Sequence, residues 1–188
     1  MTTMTADTTT GSMWEVNART IVYSAIGAAL YAVAAQFSFI LPGTASVSAR
    51  PGFALVTFFG FAFGPIVGLF VGLVGNAIGD QISGWGLLTS WNWSVANGLV
   101  GLLTGVFAIS MVRMFGNRIV LAAVASAIAI VIGFLFVFTD LWLGTADSFS
   151  TALNANYLPA VLADLVVAVI LTPILVAVWD PVRESMGR

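Results

Sequence analysis

The sequence predicts an all-α, polytopic membrane protein built as a bundle of six transmembrane helices. Three observations lead there. Of 188 residues, 60% are hydrophobic and only 7% are charged, whereas a soluble domain carries roughly a quarter of its residues as charges. Several apolar runs approach or exceed the roughly 20 residues that cross a bilayer. Those runs are continuously apolar, not alternating, which favours spanning helices over the strands of an outer-membrane barrel.

The elements follow in order. The opening MTTMTADTTTGS is polar and of low complexity. It lacks the basic start of a cleaved signal peptide, and residues 1–16 are expected to form a mobile tail ahead of a single domain over 17–181. A first helix is expected over Arg19 to Leu41, followed by a linker from Pro42 to Ala49. The next run, RPGFALVTFFGFAFGPIVGLFVGLVGNAIGD from Arg50 to Asp80, is too long for one crossing. Proline cannot donate a backbone hydrogen bond and clashes with the preceding turn, so Gly64-Pro65 predicts two short helices, with one kinked helix as the rival. QISGWGLLTSWNW then reads as an interfacial loop with tryptophan anchors. A fourth helix is expected over Ser94 to Met111 and a fifth over Ile119 to Thr139. DLWLGTADSFSTALNAN reads as a polar loop with room for a short surface helix. A sixth helix over Tyr157 to Val178 leads to DPVRESMGR, whose residues 182–188 form a short cytoplasmic tail.

Six helices put both termini on one side. Arg19, Arg113, Arg118, Arg183 and Arg188 then share that side, which the positive-inside rule makes cytoplasmic, and only Arg50 lies opposite. The expected location is a prokaryotic cytoplasmic membrane. Arg50, Asp80, Asn92, Asn97 and Asp164 converge on the outer half. A carboxylate about two turns inside a helix, as Asp164 is, costs several kcal/mol unless paired or hydrated, so it should face the bundle or a wet cavity. Asn76 and Asp80 are four apart and share a helix face. The set can be internal hydrogen-bonded glue, or it can line an outward-facing pocket with walls from Trp91, Trp93 and Tyr157. Small residues repeat at four-residue spacing in the first helix (Ala25 and Ala29, or Ala28 and Ala32) and in the third (Gly68, Gly72, Gly75, Gly79). Such stripes allow close approach, within the chain or to a partner.

Absences narrow the chemistry. There is no Cys and no His, which removes thiol chemistry, the usual general base and the commonest zinc ligand. All six basic residues are Arg, so no P-loop ending in GK[ST] exists and the chain cannot be an ATPase of that kind. No catalytic site and no intrinsic cofactor are expected.

RTIVYSAIGAALYAV, the Arg50–Asp80 segment and SWNWSVANGLVGLLTGVF together resemble the substrate-binding (S) subunits of energy-coupling factor (ECF) vitamin transporters. The resemblance covers roughly Arg19 to Phe107, and the helix count extends it. It implies a six-helix bundle that captures a water-soluble vitamin from outside. A transmembrane coupling subunit and two cytoplasmic ATP-binding subunits would be the partners. The family's alanine motif, which contacts the coupling subunit, maps to Ala25 and Ala29, with Ala28 and Ala32 as the shifted choice. The loop that closes over the vitamin maps to Leu41 through Arg50. The resemblance adds weight to Arg50, Asp80, Trp93, Asn97 and Asp164 as lining residues. Aromatic walls with amide groups favour riboflavin or a related cofactor precursor, with cobalamin and thiamine as other substrates. A membrane scaffold that binds no ligand is the alternative of a different class.

Overall fold

The computed structural model describes residues 13–44 and 46–185. Its helices are α1 (Ala18–Ala34), α2 (Ala54–Phe63), α3 (Pro65–Ile82), α4 (Trp91–Met111), α5 (Arg118–Gly133), α6 (Asp140–Leu143), α7 (Phe149–Thr151) and α8 (Leu158–Ser185). A two-stranded antiparallel hairpin, β1 (Phe39–Ile40) and β2 (Ser48–Ala49), joins α1 to α2, with Phe39 opposite Ala49 and Ile40 opposite Ser48. Short 3-10 turns at Pro51–Phe53 and Phe134–Thr139 and a π-helical turn at Ala152–Tyr157 extend α2, α5 and α8. Among the described residues, four helical stretches are long and apolar enough to cross a membrane: Pro65–Ile82, Trp91–Met111, Arg118–Leu143 and Phe149–Ser185. Ala18–Ala34 and Pro51–Phe63 are apolar but shorter. At 1.5 Å per residue, the 13 residues of Pro51–Phe63 reach about 20 Å, less than the hydrocarbon thickness of about 30 Å.

The break at Gly64-Pro65 is a full one. Gly64 has φ +105° and ψ 170°, a backbone that glycine alone adopts readily, and Pro65 opens α3 at the position where its missing N–H costs nothing. Asn17 caps α1, accepting from the amides of Arg19 and Thr20 at 3.0 and 3.1 Å, while the Thr20 hydroxyl accepts from the Asn17 amide. Asn117 caps α5 by accepting from the amides of Ile119 and Val120 at 2.8 and 3.2 Å.

The first helix is shorter than its apolar run suggests. It stops at Ala34, and Phe37, Phe39 and Ile40 are exposed on the turn and hairpin that follow. Gln36 ends it, donating to the carbonyls of Ala32 (2.8 Å) and Gly79 (3.2 Å). The hairpin then satisfies backbone groups that continued helix would have satisfied, including Leu41 N–H to Val47 C=O at 2.8 Å. At the other end α8 is longer than expected, running through Pro181 to Ser185. The polar segment expected to be mobile lies outside the described residues as far as residue 12, as do residues 186–188 with Arg188. Residues 13–16 are described, and the Met13 carbonyl packs against Gly64.

Close backbone approach organises the bundle. A Cβ on Gly68 would run into the Gly101 carbonyl, and one on Gly72 into the Asn97 carbonyl, so α3 and α4 meet backbone to backbone. On its other side α3 lays Gly75 against Ala28 and Tyr31, and Gly79 against Ala32 and Ala35 of α1. The glycine stripe is thus internal packing, which replaces the hydrophobic drive that lipid does not provide. At the end where α1 starts and α8 finishes, Tyr23, Phe59, Phe63 and Trp179 form a chain of ring contacts at 4.3–5.1 Å. The same end carries the ion pair of Arg118 with Asp180 at 2.9 Å.

Candidate functional site

The opposite end holds a polar cavity of about 240 Å³. The hairpin, three helices and one loop build its walls. Ser46, Val47, Ser48 and Arg50 come from the hairpin, Asn76 and Asp80 from the last turns of α3, and Trp93 with Ala160 and Asp164 from α4 and α8. Trp85 and Ser90, from the loop before α4, close the rim. Ser46 adopts φ +64°, a left-handed conformation uncommon outside glycine, at the hairpin tip over this cavity.

Asn76 is the hub of a buried network. Its side-chain carbonyl accepts from Arg50 Nη1 at 2.6 Å and from the Tyr31 hydroxyl at 3.4 Å. Its amide donates to Asp80 Oδ2 at 2.9 Å and to Ser94 Oγ at 3.1 Å. Tyr31 makes its shorter bond, 3.0 Å, to Asn97 Oδ1, and the Asn97 amide donates to the Trp93 carbonyl at 2.7 Å. The hairpin is therefore tied to α3 by one charge-assisted bond, and α1, α3 and α4 share a continuous polar seam. Among the described residues Arg50 and Asp80 form no direct ion pair; Asn76 stands between them.

Two groups at the cavity have unused capacity. Arg50 Nε and Asp164 Oδ1 are buried and have no hydrogen-bond partner, although both residues line the same cavity. Asp164 itself is 1% exposed. A buried polar atom left unpaired costs about 1–3 kcal/mol.

Of the residues singled out from sequence, Arg50, Asn76, Asp80, Trp93 and Asp164 meet at this cavity. Asn97 stands behind the wall, fully buried, where it accepts from the Tyr31 hydroxyl and donates to the Trp93 main-chain carbonyl. Trp91 and Tyr157 are elsewhere. Trp91 is exposed and packs on Phe136, while the Tyr157 hydroxyl donates to the Val131 carbonyl at 2.9 Å and its ring leans on Phe138. Trp91 and Tyr157 lie at the starts of α4 and α8 but point away from the cavity that Trp93 and Ala160, two and three residues further on, help to line. Sequence reasoning missed Tyr31 and the serines of the hairpin tip. A single large polar ring within the run of small residues Gly27-Ala28-Ala29 to Ala32 was the signal for Tyr31.

A second polar knot lies beside the first. Asp140, 2% exposed, accepts from Asn92 at 2.7 Å, Asn156 at 2.7 Å, Thr145 at 2.9 Å and the Trp93 indole at 3.2 Å. These donors line a neighbouring cavity of about 310 Å³ that shares Ser90 and Trp93 with the main one. The loop read as a polar surface segment is in fact pinned into the bundle by this one carboxylate.

In α1, Ala28 and Ala32 are buried against α3 (3% and 1% exposed), whereas Ala25 and Ala29 lie on the exposed face. The shifted register is thus occupied by packing within the chain. Among the described residues no cluster of three or more His, Cys, Asp or Glu is placed to hold a metal ion.

These features define a polytopic α-helical membrane protein with a polar, partly unsatisfied cavity at one end, roofed by a loop. Comparison with known families makes the class specific. The model of the ECF-type riboflavin transporter, S component, matches residues 15–180, and the chain belongs to that family. Among curated proteins it is similar to UPF0397 proteins of Aliivibrio fischeri and Aliivibrio salmonicida, 37% identical over 94 residues. A UPF0397 protein of Vibrio atlanticus is 38% identical over 91 residues. The matched region spans about half of this chain and about half the length of those relatives. No solved structure matches the chain.

Proposed function

We propose that this chain is the vitamin-capturing subunit of an ECF transporter and that riboflavin, or a close flavin precursor, is what it binds. Family membership supports the vitamin, and one observation in the molecule carries the reading: a polar cavity under the hairpin lined by Arg50, Asn76, Asp80, Trp93 and Asp164. Its volume, about 240 Å³, lies just below the ~300–1,000 Å³ typical of small-molecule pockets. A flat ring enters such a space with a small shift of the hairpin, while a corrinoid does not. Trp85 and Trp93 offer aromatic faces for that ring.

In this reading all six apolar helices cross or enter the bilayer, with α2 the shallowest. Both termini are cytoplasmic, and the cavity opens outward. The hairpin serves as the closing loop over the ligand. The chain performs no chemistry itself: a transmembrane coupling subunit, docked on the exposed Ala25 and Ala29 face, and two ATP-binding subunits drive uptake. The exposure of these two alanines supports that role for them.

The test is titration of the purified full chain in lipid nanodiscs with riboflavin, followed by quenching of flavin fluorescence, together with native mass spectrometry of the gently extracted protein. Saturable one-to-one binding is expected. Absence of any bound or bindable small molecule would return the chain to a scaffold role.

A further inference from the structure

The hairpin and the start of α8 also border an open groove of about 510 Å³. Leu41 walls it on the hairpin and Leu158, Leu162 and Ala163 wall it on α8, while Thr44 and Asn154 are its polar side chains. Among the described residues none that lines it is charged. At about 100° of turn per residue, Leu158, Leu162 and Ala163 lie on nearly the opposite face of α8 from Ala160 and Asp164, which line the polar cavity. The groove therefore opens toward lipid, continuous with the exposed Val166, Ile170 and Ile174 further along the same helix.

Water does not fill the deeper part. A buried water needs about two to four polar partners, and both polar side chains are already bonded: Thr44 Oγ1 to the Leu41 carbonyl at 2.8 Å, Asn154 Nδ2 to the Ser150 carbonyl at 3.0 Å. From Leu158 the α8 wall runs about 7.5 Å deeper to Ala163 on apolar side chains alone. Left empty, the groove would rob those side chains of dispersion contacts on one side. A polar rim above an apolar slot matches the order of groups in a lipid, glycerol ester above hydrocarbon.

From this arrangement we propose that the groove seats an acyl chain of a phospholipid from the leaflet on the hairpin side. The ester groups lie level with Thr44 and Asn154, and the chain follows Leu158, Leu162 and Ala163 inward. Packing holds it there, because the rest of the bilayer is just as apolar as the groove. With no charge in the lining, the groove does not choose between headgroups. The chain also bears on Leu41, whose amide donates to the Val47 carbonyl at 2.8 Å, and Val47 lines the polar cavity. The bilayer thus braces the hairpin from its lipid side.

Photolabelling tests this on the full chain in phosphatidylcholine nanodiscs doped with the same lipid carrying a diazirine part-way down one acyl chain. Ile78 on α3 and Leu135 after α5 are exposed at the same end of the bundle and serve as the reference. Label located by peptide mass spectrometry is expected to be about threefold denser or more at Leu41, Leu162 and Ala163 than at that pair. Ala163→Trp fills the groove, so label at Leu41 and Leu162 should fall to the reference level while that at Ile78 and Leu135 stays. Ala163→Leu serves if the larger side chain prevents folding. Changing every headgroup to phosphatidylglycerol, probe included, should leave the pattern as it was. Groove label no denser than the reference overturns the seat, leaving an ordinary lipid contact or a site covered by a protein partner or a second copy. Label undiminished in the filled variants overturns it too, as does groove label that appears only with the anionic headgroup. None of these readouts depends on what the polar cavity binds.

Discussion

The hydrogen bond from Arg50 to Asn76 makes a sharp prediction about how the hairpin is held. Removing the guanidinium with Arg50→Ala deletes a 2.6 Å charge-assisted bond and leaves Asn76 Oδ1 with only the long, 3.4 Å contact to Tyr31. Hydrogen bonds to charged groups contribute about 1.5–3 kcal/mol, so riboflavin affinity is expected to fall roughly 10- to 100-fold. Most of the loss should appear as faster release, because the hairpin is the element set free. The bundle contacts of α1, α3 and α4 do not include Arg50, so any loss in a thermal melt should not exceed that one bond, about 1.5–3 kcal/mol. The route of coupling is the deeper point. Asp80 receives its bond from the Asn76 amide, not from Arg50, so any energetic coupling between Arg50 and Asp80 must pass through Asn76. Double-mutant cycles on the dissociation constant, read by flavin fluorescence and stopped-flow release, should show 0.5–3 kcal/mol of coupling for Arg50 with Asn76. They should show less for Arg50 with Asp80, and none for that pair once Asn76→Ala is present. Arg50–Asp80 coupling that survives Asn76→Ala would refute the bridging role and restore a direct pair. Unchanged affinity in Arg50→Ala would refute the hold on the hairpin itself.

Three further outcomes are expected. Ala29→Trp should block co-purification with coupling subunits while riboflavin affinity is kept, whereas Ala28→Leu, buried against Gly75, should cost about 1–3 kcal/mol of stability by overpacking in a thermal melt. Intact assembly with Ala29→Trp would remove the docking role. Asp140→Ala strips a common acceptor from Asn92, Trp93, Thr145 and Asn156 and should lower stability by about 2–4 kcal/mol, with protease cutting appearing first in the segment from residue 140 to 157; Asp140→Asn should be milder. Because the chain has no Cys, single cysteines at Thr44 and Asp147 report sidedness directly, and both should react with an impermeant maleimide from outside the cell. Labelling only from the cytoplasmic side would invert the proposed topology.

The features that the sequence alone determined are those set by neighbours along the chain. Continuous apolar runs require helices in a membrane because every backbone group must be paired within its own segment. Gly64-Pro65 requires a break, since one residue takes φ +105° and the other donates no hydrogen bond. A spacing of four puts Asn76 and Asp80 on one face, where they bond at 2.9 Å. Helical period fixes rotation about an axis but does not say which neighbour a face will meet. Tertiary structure alone decided that Ala28 and Ala32 turn inward while Ala25 and Ala29 turn outward, and that Trp91 and Tyr157 leave the cavity that Trp93 enters. The partner of Arg50 is likewise an amide one helix away, and Asp140 gathers donors 5 to 48 positions distant. Charge attraction along the sequence points Arg50 at Asp80. The fold gives it Asn76, because a hydrogen bond goes to the group within reach in three dimensions, and which groups are within reach is set by how the glycine faces of α3 let α1 and α4 close around it.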